Sequence, residues 1–347
     1  MKRYYLLYLL VFTFLYSCKK SELPPPVSPP ADTISFTSAA SIGIKGDRKD
    51  VTTTALPGYV LMGGSTDVNA AIKWMLDRSN GGDIVVIRAT GTDAYDNYMY
   101  GLSNVNSVET LLINSISLAN DDKVSRTIRD AECLFIAGGD QWDYVSLWKN
   151  TKVNDAINYL INTKKVPVGG TSAGCMILGQ FCYDAEKGSA TSAAVLKNPY
   201  DKYVSFTSHF ISIPLLQNII TDTHYDNPDR RGRQLGFMAR LYQDSSVSIK
   251  GIGVEERTAV AIDENGNAVV FGSGHAYFLQ ANTSLGLPEN CKPNNKLTWN
   301  YQKQAVLVYT IQGNNNGNGS INIPGWNNFS GGISQTFAAK NGKLLVQ

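Results

Sequence analysis

Between residues 57 and 170, short apolar runs alternate with stretches whose apolar positions recur at helical spacing. PGYVLMGG (57–64) reads as a strand ending in paired glycines, and VNAAIKWMLDRS (68–79) follows it with the helical period. GDIVVIRAT (82–90) and ETLLINSI (109–116) repeat the strand pattern. KVSRTIRDAECLFIAGGDQ (123–141) is a helix running into a fourth strand, WDYVSLWKN and KVNDAINYLINTKK are helical, and VPVGG (166–170) is a fifth strand. Apolar strands alternating with amphipathic helices predict an α/β fold, a mostly parallel sheet with helices on both faces. Ligands in such folds bind at the carboxyl ends of the strands. Three of those ends carry glycine pairs, Gly63-Gly64, Gly138-Gly139 and Gly169-Gly170.

After about residue 258 the texture changes to short strands separated by the turn signals NGN, GSG, NNNGNG and KNGK. This part predicts hairpins that complete the sheet edge, with a short β-rich tail over 313–347.

The amino-terminal segment MKRYYLLYLLVFTFLYSC follows neither pattern. A basic start and an apolar run too short to span a bilayer predict a secretory signal peptide over 1–17. Cys18, directly behind Leu15-Tyr16-Ser17, resembles the lipobox position of a bacterial lipoprotein. The expected location is therefore the bacterial cell envelope, with a membrane anchor through lipidated Cys18. Prolines 24, 25, 26, 29 and 30 predict an extended spacer within a linker over 18–56, including the solvated GDRKD (46–50), and a catalytic domain over 57–312.

With 43% hydrophobic residues the chain can bury one large core. Its formal charge is +2, and Lys2 and Arg3 fall in the segment expected to be removed, so nothing points to nucleic acid. Cys133, Cys175, Cys182 and Cys291 have the spacing of neither a disulfide framework nor a CxxC metal site. The first three read as buried small hydrophobes, and neither a metal nor a cofactor is expected.

The chemistry centres on VPVGGTSAGCMILG (166–179), where Gly170-Thr171-Ser172-Ala173-Gly174 satisfies G-x-S-x-G. A strand that stops and a helix that starts at once would hold Ser172 on a strained turn, hydroxyl exposed and neighbouring amides free. A serine nucleophile needs a base, and the chain has three histidines. His209 lies in a strand-like run, His275 in a turn-rich stretch, and His224 in the polar loop IITDTHYDNPDRRGRQLG, where a site residue is expected. Glu255 or Glu256 in GIGVEERTAV could orient the imidazole.

GGDQ (138–141), GGTSAG (169–174), DTHY (222–225) with RRGR (230–233), and GIGVEERTA (251–259) occur in an order that resembles the cyanophycinase-like serine peptidases, relatives of aspartyl dipeptidase, over roughly residues 57 to 312. The resemblance implies a class I glutamine amidotransferase-like (flavodoxin-like) fold. It implies a triad of Ser172, His224 and Glu256, with Gln141 beside it. The implied reaction is hydrolysis of aspartyl peptide bonds, β-aspartyl-arginine bonds among them, through an acyl-enzyme. Peptides containing aspartate or arginine are the expected partners, and a homodimer is implied by the family alone. The sequence departs from the family at Thr223 of Asp222-Thr223-His224 and at Arg257, where asparagine is usual. The oxyanion is expected against the amides of Ala173 and Gly139, and the substrate against Gln141, Asp222, Arg230, Arg231 and Arg233. Two other readings fit parts of the pattern. One is an α/β-hydrolase esterase using Ser172, Asp222 or Asp263, and His275; the other is a catalytically inactive peptide-binding lipoprotein.

Overall fold

The computed structural model describes residues 38–347; the signal peptide, Cys18 and the prolines of the spacer lie outside the described residues. The chain builds two sheets where the sequence predicts one. The first has ten strands among the described residues, in the spatial order Ser41–Gly46, Ser107–Leu112, Asp83–Arg88, Cys133–Ile136, Pro167–Thr171, Gly58–Met62, Thr258–Asp263, Asn267–Gly272, Asn318–Asn322 and Asn327–Ser330. The second has eight, in the order Lys343–Val346, Ile333–Lys340, Val306–Gln312, His275–Ala281, Lys250–Val254, Ile219–Asp222, Phe181–Tyr183 and Phe206–Ser208. The run from Ser107–Leu112 to Gly58–Met62 is parallel, as expected. Strands on either side of that run are antiparallel, so the first sheet is mixed rather than mostly parallel.

Three apolar layers hold these sheets. On one face of the first sheet Val60, Val86 and Phe135 pack against Ile72 and Met75 of the Asn69–Asp77 helix. Alternation along the strands sends Leu61, Val85 and Ile136 to the opposite face. There they meet Val124 and Ile128 of the Asp122–Asp130 helix, Trp148, Ile157, and Ile252, Val254 and Phe278 of the second sheet. The far face of the second sheet is covered by the Arg231–Ser245 helix through Leu235, Phe237 and Met238. These residues are fully buried.

The late hairpins do not extend one edge. Lys250–Val254 belongs to the second sheet, and the chain crosses at 255–257 into Thr258–Asp263 of the first; it returns between Asn267–Gly272 and His275–Ala281. Both strands flanking the first crossing are apolar and almost wholly buried on both faces, so each needs an interior place in a sheet. The residues after 312 pair into both sheets and form no separate tail. The expected linker also ends too late: Ser41–Gly46, inside it, pairs antiparallel with Ser107–Leu112. SIGIKG is short, half-exposed and carries glycine and lysine, as suits an edge strand, and gives little periodic signal.

Candidate active site

Ser172 stands between the Pro167–Thr171 strand and a single helical turn, Ala173–Met176. Its backbone has φ 51° and ψ −118°, a strained conformation for a residue with a side chain. Both glycines of the pentapeptide make room for this turn. A Cβ on Gly170 would stand 2.5 Å from the carbonyl carbon of Gly174, and one on Gly174 would stand 2.1 Å from the carbonyl oxygen of Ile136. The sharp reversal leaves the Ser172 side chain facing outward.

His224 follows the Ile219–Asp222 strand of the second sheet, and Glu256 lies on the crossing between the sheets. The Ser172 hydroxyl lies 2.8 Å from His224 Nε2, and His224 Nδ1 lies 2.7 Å from Glu256 Oε1. An ionised carboxylate only accepts, so Nδ1 carries the hydrogen and Nε2 turns its lone pair to Ser172. Three loops from two sheets are brought together by one strand end: Met62, Gly63 and Gly64 accept from the amides of Ser172 at 3.0 Å, His224 at 2.9 Å and Arg257 at 3.1 Å. Gly64 has φ +96°, and a Cβ there would stand 2.6 Å from His224 Nε2. In the sequence this glycine pair signals only a strand end; that it backs the imidazole depends on contacts between distant segments.

Beside Ser172 and His224 is a hollow of about 280 Å3 bordered by Gly139, Gln141, Thr223, Arg230 and Arg233. Ala173 borders it too, so both residues expected at the oxyanion lie at the serine. Gln141 Nε2 donates to the Tyr183 carbonyl at 3.3 Å. Ser189, which also borders the hollow, lies in a loop with no chemical signature in the sequence.

The expected substrate-binding set is only partly assembled. Asp222 is fully buried and does not face the hollow; it accepts from Nε of Arg233 at 2.8 Å and from Nη2. Burial works against the Arg233 charge, yet Asp222 holds its pKa above the ordinary value. Asp222 thus positions an arginine instead of meeting a ligand. Arg231 turns away to Asp229, its Nε and Nη2 donating at 2.9 and 2.7 Å. Arg230 does face the hollow, with Nη1 donating to the Thr223 carbonyl at 3.0 Å. It pairs with no carboxylate among the described residues. Burial and then the neighbouring Arg233 lower its pKa.

The esterase constellation does not form. His275 Nδ1 lies 2.9 Å from Glu255 Oε2, and Tyr277 donates to the other oxygen of Glu255 at 2.8 Å, so this acid faces away from His224. Asp263 accepts from the amides of Asn265 and Asn267 in a turn. His209 lies just past the Phe206–Ser208 strand and is exposed, with Gln180 Nε2 3.3 Å from its Nε2. Arg257 is exposed at φ 54°, a left-handed conformation that asparagine adopts more readily. Cys133, Cys175, Cys182 and Cys291 are buried free thiols.

A model of peptidase family S51 matches residues 59–270. The cyanophycinase of Nostoc sp. is 26% identical over 167 residues, 48% of this chain and 51% of that protein. That of Synechococcus elongatus is 25% identical over 170 residues, 49% of this chain and 48% of the other. The chain therefore spans about half the length of the curated relatives it matches. Among solved structures, a peptidase from an acI-B1 Actinobacterium superposes with a TM-score of 0.47 at 13% identity, covering 65% of this chain and 91% of that one.

Proposed function

Because the chain belongs to peptidase family S51, the cyanophycinase-like peptidases, we propose that it is a serine peptidase that hydrolyses aspartyl peptide bonds through Ser172, His224 and Glu256. What carries the reading is the unbroken relay of 2.8 and 2.7 Å contacts from a strained serine to a carboxylate. Ser172 attacks the carbonyl carbon while His224 Nε2 takes its proton; the imidazolium then delivers that proton to the leaving amine. Water, activated by the same imidazole, resolves the acyl-enzyme and regenerates the serine. Glu256 holds the tautomer and stabilises the imidazolium. The developing oxyanion sits against the amides of Ala173 and Gly139, where fixed donors are worth most.

Substrate preference follows from Arg230. A guanidinium that borders the hollow without a carboxylate partner, next to a second guanidinium already neutralised by Asp222, attracts an anion. An aspartyl side chain entering the hollow supplies one, and β-aspartyl-arginine peptides belong to the same class. The class I glutamine amidotransferase-like description of the fold and export to the cell envelope through Cys18 belong to this proposal. Burst release from an activated aspartyl ester, compared between the wild type and Ser172→Ala, is the test. A burst in the wild type that Ser172→Ala lacks supports the acyl-enzyme; equal release in both removes Ser172 as the nucleophile, and no release in either favours a peptide-binding lipoprotein.

A further inference from the structure

A second hollow, of about 360 Å3, is lined by late strands of both sheets and shares no lining residue with the hollow at Ser172. Its floor is one face of the second sheet. In register, Ser334 stands opposite Tyr309 and Tyr309 opposite Phe278, while Thr336 stands opposite Leu307 and Leu307 opposite Gln280. Gln347 exchanges both main-chain hydrogen bonds with Thr336, which puts its side chain on the same face. The other wall comes from Trp326 and from Phe329 of the Asn327–Ser330 strand of the first sheet. All of these residues lie beyond 270, where the match to the peptidase family ends.

The lining combines aromatic rings with amides, and none of its side chains is charged. Phe329 is 41% exposed, and its ring centroid lies 4.7 Å from that of Tyr309, whose hydroxyl accepts from the Gly332 amide at 2.9 Å and is held by it. Gln280, Gln304 and Gln347 border the hollow, and their side-chain amides make no hydrogen bond among the described residues. Gln335 is the contrast: alternation turns its side chain to the other face, where it donates to Thr310. The Thr336 hydroxyl, on the floor, also lacks a partner. Lys250 stands opposite Gln280 in register, but its ammonium sits 4.7 Å from the centre of the Trp326 ring and does not line the hollow.

These features select the ligand. Each primary amide offers donors and an acceptor together, which matches neighbouring hydroxyls that both donate and accept. An exposed aromatic ring takes the C–H face of a sugar, and an uncharged wall gives an ionised group no counter-charge. An extended peptide is poorly served: Val306–Gln312 and Ile333–Lys340 are each paired on both sides, so neither offers it a main-chain ladder. We propose that this hollow binds a neutral saccharide, as a site separate from Ser172. Its volume falls within the roughly 300–1,000 Å3 that small-molecule sites occupy. The site goes beyond the peptidase reading and stands whether or not Ser172 is the nucleophile.

Calorimetric titration of the chain with maltohexaose, cellohexaose, xylohexaose and chitohexaose is the test. At least one should bind with a Kd of about 0.1–1 mM, as expected of a small open site. Raising the salt concentration should leave that Kd within about twofold, because no charge takes part. Phe329→Ala and Gln304→Ala change exposed positions, so the fold should survive both, and each should weaken binding about tenfold. Ser172→Ala should bind the sugar as the wild type does. No binding of any of the four at about 10 mM would overturn the proposal, as would undiminished affinity in either hollow variant. Preferential binding of polygalacturonate, an acidic chain, would also overturn it and move attention to Lys250.

Discussion

Asp222 and Arg233 form a two-pronged ion pair at the back of the arginine pocket, 0% and 2% exposed. Removing one partner leaves the other charge buried and uncompensated. Asp222→Ala should therefore cost about 3–5 kcal/mol of stability, seen as a lower urea midpoint. Replacing both residues, Asp222→Leu with Arg233→Met, should recover most of that loss, because the desolvation penalty disappears with the pair.

Ser172 and His224 should behave as a unit. Ser172→Ala and His224→Ala are each expected to abolish nearly all turnover, and the double variant should be little worse than either. Glu256→Gln, which keeps the shape but disturbs the tautomer, should lower kcat by about 10²–10⁴-fold. His275→Ala should stay within about threefold of wild type, under 1 kcal/mol of barrier, since its partner is Glu255. Steady-state kinetics of the five variants on one aspartyl substrate decides these outcomes.

Arg230 gives a specificity test. If it meets the substrate carboxylate, Arg230→Gln should raise KM for aspartyl peptides roughly tenfold and leave asparaginyl analogues nearly unchanged, so the ratio between the two should collapse. A uniform loss on both would mean that Arg230 shapes the loop through Thr223 and does not read the charge.

Asp96 lies under the edge strand Ser41–Gly46, with its Oδ1 accepting from Thr110 and its Oδ2 buried without a partner. Burial outweighs that hydrogen bond and pushes its pKa from 3.8 up to about 6. A carboxyl that binds its proton more tightly in the folded chain contributes stability below about pH 4 and loses it as the pH rises through about 6. Asp96→Asn should therefore flatten the pH dependence across this window and stabilise the chain at pH 7. Thermal melts at pH 4, 5, 6 and 7 would show it.

The anchor is checked by fractionation. With Cys18 as the lipidated first residue, the expressed chain should enter the detergent phase, and Cys18→Ser should move it to the aqueous phase. Equal partitioning of the two forms would reject the lipobox reading.

Much of the site was legible in the sequence because its parts are local. G-x-S-x-G specifies its own strand-to-helix turn, and Gly170 and Gly174 have steric reasons to be glycine within a few residues of Ser172. Glu255 and Glu256 lie past the Lys250–Val254 strand, so strand alternation does not choose between them; the resemblance names Glu256, and Glu255 does face His275. What was hidden depends on contacts across the fold. Nothing near Asp222 in the chain says that the first turn of the Arg231–Ser245 helix will present Arg233 to it, or that Arg231 will turn to Asp229. The second sheet was hidden for a similar reason. Short continuous apolar runs mark Lys250–Val254 and Thr258–Asp263 as strands but do not say that neighbours in sequence join different sheets.

The three carbonyls of Met62, Gly63 and Gly64 act as a jig for the catalyst. Each receives the amide of a different loop, so serine, imidazole and the loop carrying the acid are all referred to three consecutive residues, each roughly 3.8 Å from the next along one backbone. Heating such an assembly leaves little room for a half-aligned catalyst, because any loop that drifts must first abandon a strand end buried between the sheets. Loss of activity and loss of native structure should then follow one curve.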